Sequence, residues 1–244
     1  LDCHSHYPPD YLRRCAELAE RTGAWNVGGR VEPRGETPME RAVAAAMDSP
    51  FGGIGWTRMG GTEPVEVDTV TFGAFRPEAF DKAGLYDEDL VRNQDDELNL
   101  RIREAGGLIM LDPTLTVYYR PRASLRRVWR QYYEYGLWKV RVMLKHRQVL
   151  SLRSMAPLVF LTSLVVLVIA GIFWTPALIL LAAELAVYAL GAAVFAARGL
   201  RTRGETLRFT PRVMGVFAAF HLGYGTGMAR GWLGAAGALL GRRR

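Results

Sequence analysis

The pattern of apolar and polar positions changes character partway along the chain. Up to about residue 120 the apolar residues fall in short alternations and short amphipathic groups. Residues 9–22, PDYLRRCAELAERT, put Leu12, Cys15, Ala16 and Ala19 on one face at helical spacing, and Gly23 stops the helix. AWNVGG predicts a strand running into a glycine turn, and VEPRGE reads as loop. PMERAVAAAMDS predicts a helix with Thr37 at its N-cap and Pro38 in the first helical position. After the glycine-rich loop PFGGIGWTRMGGT, the β-branched alternation of VEVDTVTFGAF predicts a strand, in which Gly73 marks a bulge or a close approach to the backbone. EAFDKAGL is a brief helix. NQDDELNLRIREAGG predicts a longer one, with Asn93 as N-cap, acids in the first turn and arginines in the last. LIMLD and LTVYY are two short strands about Pro113. Short strands alternating with helices indicate an α/β layer.

From residue 123 the pattern differs. Residues 123–153 are basic and aromatic, as an interfacial segment would be. Residues 156–174 then run without a charge, long enough to cross a bilayer at about 1.5 Å per residue. Residues 176–197 form a second span whose one acid is Glu184, functional or paired by default. Thr175-Pro176 between them makes the pair a hairpin. Lys139, Arg141, Lys145, Arg147 and Arg153 precede it, and Arg198, Arg201, Arg203, Arg208 and Arg212 follow, so the charge rule puts both flanks in the cytoplasm. A third apolar stretch, 213–240, holds His221, Arg230 and many glycines. A third span would leave Arg242, Arg243 and Arg244 outside; a re-entrant or interface-lying segment avoids that conflict. His221 with Tyr224 is a candidate for a lipid head group or simply for packing. The domains expected are therefore 1–122, the α/β part, 123–153, the interfacial segment, and 154–244, the membrane region.

The net charge of +7 hides an asymmetry. Residues 1–120 hold 13 Lys/Arg and 21 Asp/Glu, whereas residues 121–244 hold 18 Lys/Arg and 3 Asp/Glu. The basic half is the apolar half, which favours a membrane over a nucleic acid as its surroundings. Cys3 and Cys15 fit no metal-ligand spacing and read as reduced thiols.

The opening DCHSH, residues 2–6, suits a metal site at a strand end or a plain polar strand end. A metal-dependent hydrolase needs further histidines and acids from later strands. This chain has four histidines, and His146 and His221 lie in the basic and apolar parts. It also turns apolar after residue 153, too early to close a barrel of about 250 residues.

Four stretches in one order carry a resemblance: DCHSHYPPDYL, NVGG, DTVTFGAFRPEAFDKAGLYDEDLVRNQDDELNLRIREAGG and YYRPRASLRRVWRQYYEYGLWK. Together they resemble the family-2 glycosyltransferases of GT-A fold, in the membrane-bound branch of succinoglycan-type exopolysaccharide synthesis. The resemblance covers residues 1 to about 145, and more weakly the HLGYGTG tail. It implies an α/β chain: a partial, Rossmann-like GT-A domain, lacking the nucleotide-binding strands that precede the metal motif, followed by a helical transmembrane region. A piece so truncated is expected neither to bind nucleotide well nor to turn over.

Under that resemblance DCH stands where relatives have an Asp-x-Asp-like metal motif. Asp2 would hold Mg²⁺ or Mn²⁺, with His4 in place of the second carboxylate; a hard dication prefers the Asp2 oxygen. His6 has no role. In NQDD, Asp95 matches the general base, Asp96 stands in reserve, and Gln94 replaces a glutamate of the family. An acidic helix start with Asn93 as cap and Asp96 three residues on would also account for the acids. QYYEYGLWK resembles the family's membrane-proximal Gln-x-x-Arg-Trp element, but Gln131 and Trp138 are seven apart and the arginine is missing, which points away from a processive synthase. Tyr132, Tyr133, Tyr135 and Trp138 suit an interfacial aromatic belt as well as a substrate site. Gly28, Gly29, Gly73, Gln94, Arg130, Gln131, Trp138 and Lys139 are the donor- and acceptor-binding candidates, although Gly28 and Gly29 also make a turn. The implied activity is hexosyl transfer with inversion from a nucleotide-sugar donor to a lipid-linked (polyprenyl diphosphate) saccharide, at the cytoplasmic face of the inner membrane. The competing expectation is a transferase-like membrane scaffold or partner subunit without catalysis.

Overall fold

The structure, a computed structural model, describes residues 5–53, 61–149 and 152–241, with side chains to residue 237 in the last stretch. The chain divides into two compact units: Leu1–Glu36 with Gly53–Pro121, and Thr37–Gly52 with Arg122–Arg244. The grouping of Thr37–Gly52 with the C-terminal helices has no counterpart in the sequence pattern.

The first unit is a mixed α/β layer around a five-stranded sheet. Its elements are β1 (Ser5–His6), α1 (Tyr11–Thr22), β2 (Asn26–Pro33), β3 (Val65–Glu66), β4 (Ala74–Phe75), α3 (Pro77–Ala83), α4 (Gln94–Glu104) and β5 (Ile109–Tyr119), with α2 (Pro38–Met47) belonging to the second unit. β2 and β5 pair in parallel, the Rossmann-like element of the sheet, and β4 runs antiparallel to β2. β1 and β3 pair antiparallel with β5, at opposite ends of it. α1 buries Tyr11, Cys15, Leu18 and Ala19 against Val27, Met110, Leu115 and Val117. Ile109 and Leu111 instead join Val70, Ala79, Leu98 and Ile102, so apolar clusters cover both sides of the sheet. Gly23 ends α1 in the left-handed conformation, φ 74°, and returns its N–H to the Ala19 carbonyl.

Three expectations are corrected here. VEPRGE is not all loop, because β2 continues to Pro33. LIMLD and LTVYY form one strand, β5, and Pro113 lies in a bulge: Gly29 faces Asp112 while Arg30 faces Thr116. The extra residues take up the missing proline N–H and reverse the side-chain alternation, which lets Leu115 and Val117 face α1 as Met110 does. VEVDTVTFGAF is not one strand but β3 and β4 with a crossing segment between them, because the chain leaves β5 to pair with β2 instead.

The second unit is helical. α2 starts as its sequence demands: the Thr37 hydroxyl accepts from Glu40 N–H and the Glu40 carboxylate accepts from Thr37 N–H, closing a capping box ahead of Pro38. α5 (Leu125–His146), capped by Ser124, precedes α6 (Ala156–Phe173), α7 (Thr175–Thr202) and α8 (Thr210–Gly241). Among the described residues two helices, Leu152–Phe173 and Thr175–Thr202, are long and apolar enough to cross a membrane. Residues such as Val165, Ile169, Phe173, Ile179, Val187 and Leu190 on them stand at least half exposed.

The stretch 213–240 belongs to one unbroken helix, α8, so its glycines make no re-entrant turn. They admit α5 instead. A Cβ on Gly227 would lie 2.0 Å from the Tyr133 carbonyl oxygen, and one on Gly136 would lie 2.1 Å from that of Tyr224. Gly223, Gly227 and Gly231, spaced by four, meet Trp129, Tyr133 and Val140 in turn, so α5 and α8 run side by side in one direction. Gly225, on another face, admits the Pro157 carbonyl of α6.

Candidate functional site

The acidic turn opens α4 within the first unit. Asn93 precedes the helix in the left-handed region, φ 60°, and makes no side-chain cap. Asn93 thus holds the expected N-cap position without capping through its side chain, and asparagine is one of the few residues that tolerate the conformation. Asp95 Oδ1 instead accepts the Asp96 N–H at 2.9 Å, and Asp96 Oδ1 accepts the Thr69 hydroxyl at 3.2 Å. Burial, and then the charge of Asp95, raises the Tyr86 phenol above its usual range, which sets Tyr86 within reach of the Asp95 field.

One turn further, the carboxylate of Glu97 is fully buried and takes a fork from Arg101, Nε at 3.0 Å and Nη2 at 2.8 Å. The same guanidinium donates to the carbonyls of Ala83 and Leu85, tying α4 to the end of α3 and the loop that follows it. Sequence reasoning passed over this pair, although the Glu-to-Arg spacing of four was there to find it. It also passed over Asn26 and Asn99. Asn26 Nδ2 donates to Asn99 Oδ1 at 2.6 Å, and Asn99 Nδ2 donates to Thr69 Oγ1 at 2.8 Å. Both are fully buried, and although each lies in a stretch that carries the resemblance, neither has an assigned role there.

The glycine candidates sit where other parts of the protein itself come close. A Cβ on Gly28 would meet Val70 Cβ at 2.8 Å, one on Gly29 the Leu115 carbonyl at 2.0 Å, and one on Gly73 the Asn26 Oδ1 at 2.1 Å. Tyr11 reinforces the arrangement: its hydroxyl receives the Gly29 N–H at 3.3 Å and donates to the Phe72 carbonyl at 2.8 Å. Next to it, burial pushes the Cys15 thiol from about 9 up to about 12, so it stays protonated.

The metal candidates Asp2 and His4 lie outside the described residues. Among the described residues no three His, Cys, Asp or Glu side chains gather as a metal would require. His6 pairs in β1 with Tyr118 and is exposed. A polar cleft of about 290 Å³, bordered by Arg14, Arg21, Glu63, Asp112 and Thr114, contains none of the residues singled out from the sequence. There Arg14 pairs with Asp112 at 2.9 Å.

The remaining candidates lie on α5, in the second unit. Arg130 pairs with Glu134 at 3.0 Å and is 82% exposed, and Gln131 donates to the Tyr135 hydroxyl at 2.8 Å. Trp138 has the Arg141 guanidinium 4.4 Å above its ring, and Lys139 is half-buried one residue on. Tyr132 stacks on Phe220 at 3.9 Å. His221 is packed: its Nδ1 meets the Tyr188 hydroxyl at 2.9 Å and its Nε2 the Phe51 carbonyl at 2.8 Å. Since that carbonyl only accepts, Nε2 carries the proton. Glu184 is paired as well, accepting the Ser163 hydroxyl at 2.6 Å.

No family model matches the chain, and no solved structure does. It is similar to the succinoglycan biosynthesis protein ExoA of Rhizobium meliloti (strain 1021), 38% identical over 159 residues, which make up 65% of this chain and 48% of that protein. The chain thus spans about half the length of the curated relative it matches, and the likeness supports the succinoglycan-type branch of the family-2 glycosyltransferases.

Proposed function

We propose that the natural protein is a membrane-bound inverting glycosyltransferase that moves a hexose from a nucleotide-sugar donor to a lipid-linked saccharide, such as one on polyprenyl diphosphate, in exopolysaccharide synthesis. The observation that carries this reading is the acidic turn. Asp95 and Asp96 open a helix that the buried Asn99–Asn26 contact binds to β2, in a chain that also has two helices apolar enough to cross a bilayer. The likeness to a succinoglycan biosynthesis protein supports the same assignment.

In the reaction, Asp95 accepts the proton of the acceptor hydroxyl while that oxygen bonds to the anomeric carbon. The bond from that carbon to the donor diphosphate breaks, the nucleoside diphosphate leaves with the bonding pair, and the configuration inverts. One carboxylate suffices, because no separate acid is needed to protonate a diphosphate. Asp2, with His4, would hold Mg²⁺ or Mn²⁺, whose charge would offset that of the diphosphate. Gln94 would lie on the donor side, Gly28, Gly29 and Gly73 serve it only by letting Val70, Leu115 and Asn26 pack closely, and Arg130, Gln131, Trp138 and Lys139 on α5 offer cationic and aromatic contacts to donor or acceptor. The α6–α7 hairpin holds the enzyme in the inner membrane with its basic flanks and catalytic domain on the cytoplasmic face.

The test supplies the full natural chain, in membranes with a lipid extract, with a panel of nucleotide sugars and either cation. Transfer to lipid should occur with one donor, and Asp95→Asn should lower kcat by about 10²–10⁴-fold. Equal transfer by Asp95→Asn would move the base to Asp96. No transfer from any donor would favour a transferase-like scaffold.

A further inference from the structure

We propose that Asn26, Asn99 and Thr69 form a one-directional hydrogen-bond relay that positions the Asp95–Asp96 turn for proton transfer. This rests on the transferase reading and extends it to three residues to which the sequence assigns no role.

The direction of the relay follows from its two acceptor ends. The Asp96 carboxylate accepts, so the Thr69 hydroxyl spends its proton there, at 3.2 Å. The Thr69 oxygen then receives from Asn99 Nδ2 at 2.8 Å. The Val70 carbonyl, 3.4 Å from the same Nδ2, only accepts and fixes the orientation of the Asn99 amide independently. Asn99 Oδ1 must therefore face Asn26, which presents its Nδ2 at 2.6 Å.

That orientation has a cost at the far end. Asn26 Oδ1 is buried without a hydrogen-bond partner, turned toward Gly73. A buried unpaired oxygen calls for an explanation. A valine at position 26 would complete β2 between Ile109 and Phe75 without that oxygen. What the amide adds is the link to Asn99. Gly73 is glycine for the same reason, since a Cβ there would lie 2.1 Å from the oxygen.

The relay runs from the middle of the sheet to the acids. Asp96 is held by its side chain, and its N–H in turn holds Asp95 Oδ1 at 2.9 Å. A general base works only within a narrow placement, and an error of about 1 Å costs about 10²-fold in rate. Thr69, Asn99 and Asn26 are thus positioning residues, acting on the reaction through the two carboxylates.

The test uses the full natural chain in nanodiscs and compares wild type, Thr69→Val, Thr69→Ser and Gly73→Ala. Valine keeps the shape of threonine but offers no hydroxyl. Thr69→Val should lower kcat by about 10²-fold while leaving the donor KM within about twofold. Thr69→Ser should restore most of the rate, and Gly73→Ala should fall with Thr69→Val. Hydrogen exchange at residues 95–97 should quicken in Thr69→Val while β5 stays protected. A Thr69→Val enzyme with wild-type kcat, a loss confined to KM, a loss that serine does not restore, or unchanged exchange at the turn would each overturn the relay. A wild-type chain that transfers nothing would remove the reaction and this role together. That outcome differs from a failed relay, in which the wild type turns over and the valine variant keeps pace.

Discussion

Both units use glycine to bring parts together, but what they bring together differs. In the α/β unit three glycines admit local neighbours: Gly28 the Val70 side chain, Gly73 an asparagine amide, Gly29 a carbonyl at a bulge. Buried polar groups fix the arrangement, through the Asn26–Asn99–Thr69 chain on one side and the Glu97–Arg101 fork on the other. In the helical unit Gly223, Gly227 and Gly231 admit a whole helix, main chain against main chain at the first two and against the Val140 side chain at the third. The first solution holds a few atoms in place; the second holds two rods in register. The first kind of joint suits placement to within a fraction of an ångström, and the second suits holding long helices together.

Substitutions separate the two kinds of joint. The largest loss is expected from Glu97→Gln, which leaves the Arg101 guanidinium without its buried counter-charge and costs about 3–5 kcal/mol, read from denaturant midpoints and loss of exchange protection in β5. Gly227→Val follows, since its Cβ would strike the Tyr133 carbonyl. It should cost about 1–3 kcal/mol, appear as lowered thermal stability in detergent, and spare the α/β unit. If it unprotects β5 as well, the two units do not fold separately. Thr37→Ala removes half of a capping box and should cost about 1 kcal/mol, measured the same way. Arg130→Ala is the smallest: its partner Glu134 lies on an exposed pair, so stability should change by less than about 0.5 kcal/mol, and any loss of transfer reports on substrate contact alone.

Helices were the legible part of this chain. Thr37, Pro38 and Glu40 announce α2, Gly23 ends α1, and the charge-free stretch of residues 156–174 announces α6, because caps and composition act within a few residues. The sheet was harder. Whether Pro113 splits a strand or bulges it depends on what β2 offers opposite, and Gly29 supplies the room from more than eighty residues away. VEVDTVTFGAF carries the right propensities for a strand, but its middle is drawn to Asn99 and off the ladder. At the site, Asp95 and Asp96 stand out as acids at a helix start, whereas Asn26 and Asn99 are ordinary residues until folding places one on the other. Resemblance located the turn; only three-dimensional contact located what holds it.

The excursion of Thr37–Gly52 into the helical unit has a consequence for how the protein is made. Arg41 pairs with Glu205, Asp48 with Arg203, and the Phe51 carbonyl with His221, partners up to 170 residues downstream. At ribosomal speeds of about 5–20 residues per second, this segment waits on the order of 10–30 s for the helices it joins. During that interval Ala42, Val43, Ala46 and Phe51, which end buried or half-buried, have nothing to cover them. The chain also passes between the units three times, at 36/37, 52/53 and 121/122. Completion of the α/β unit's own chain therefore does not finish the protein. The hairpin and α8 must be synthesised before the early segment can settle, which ties the burial of Thr37–Gly52 to delivery of the apolar helices.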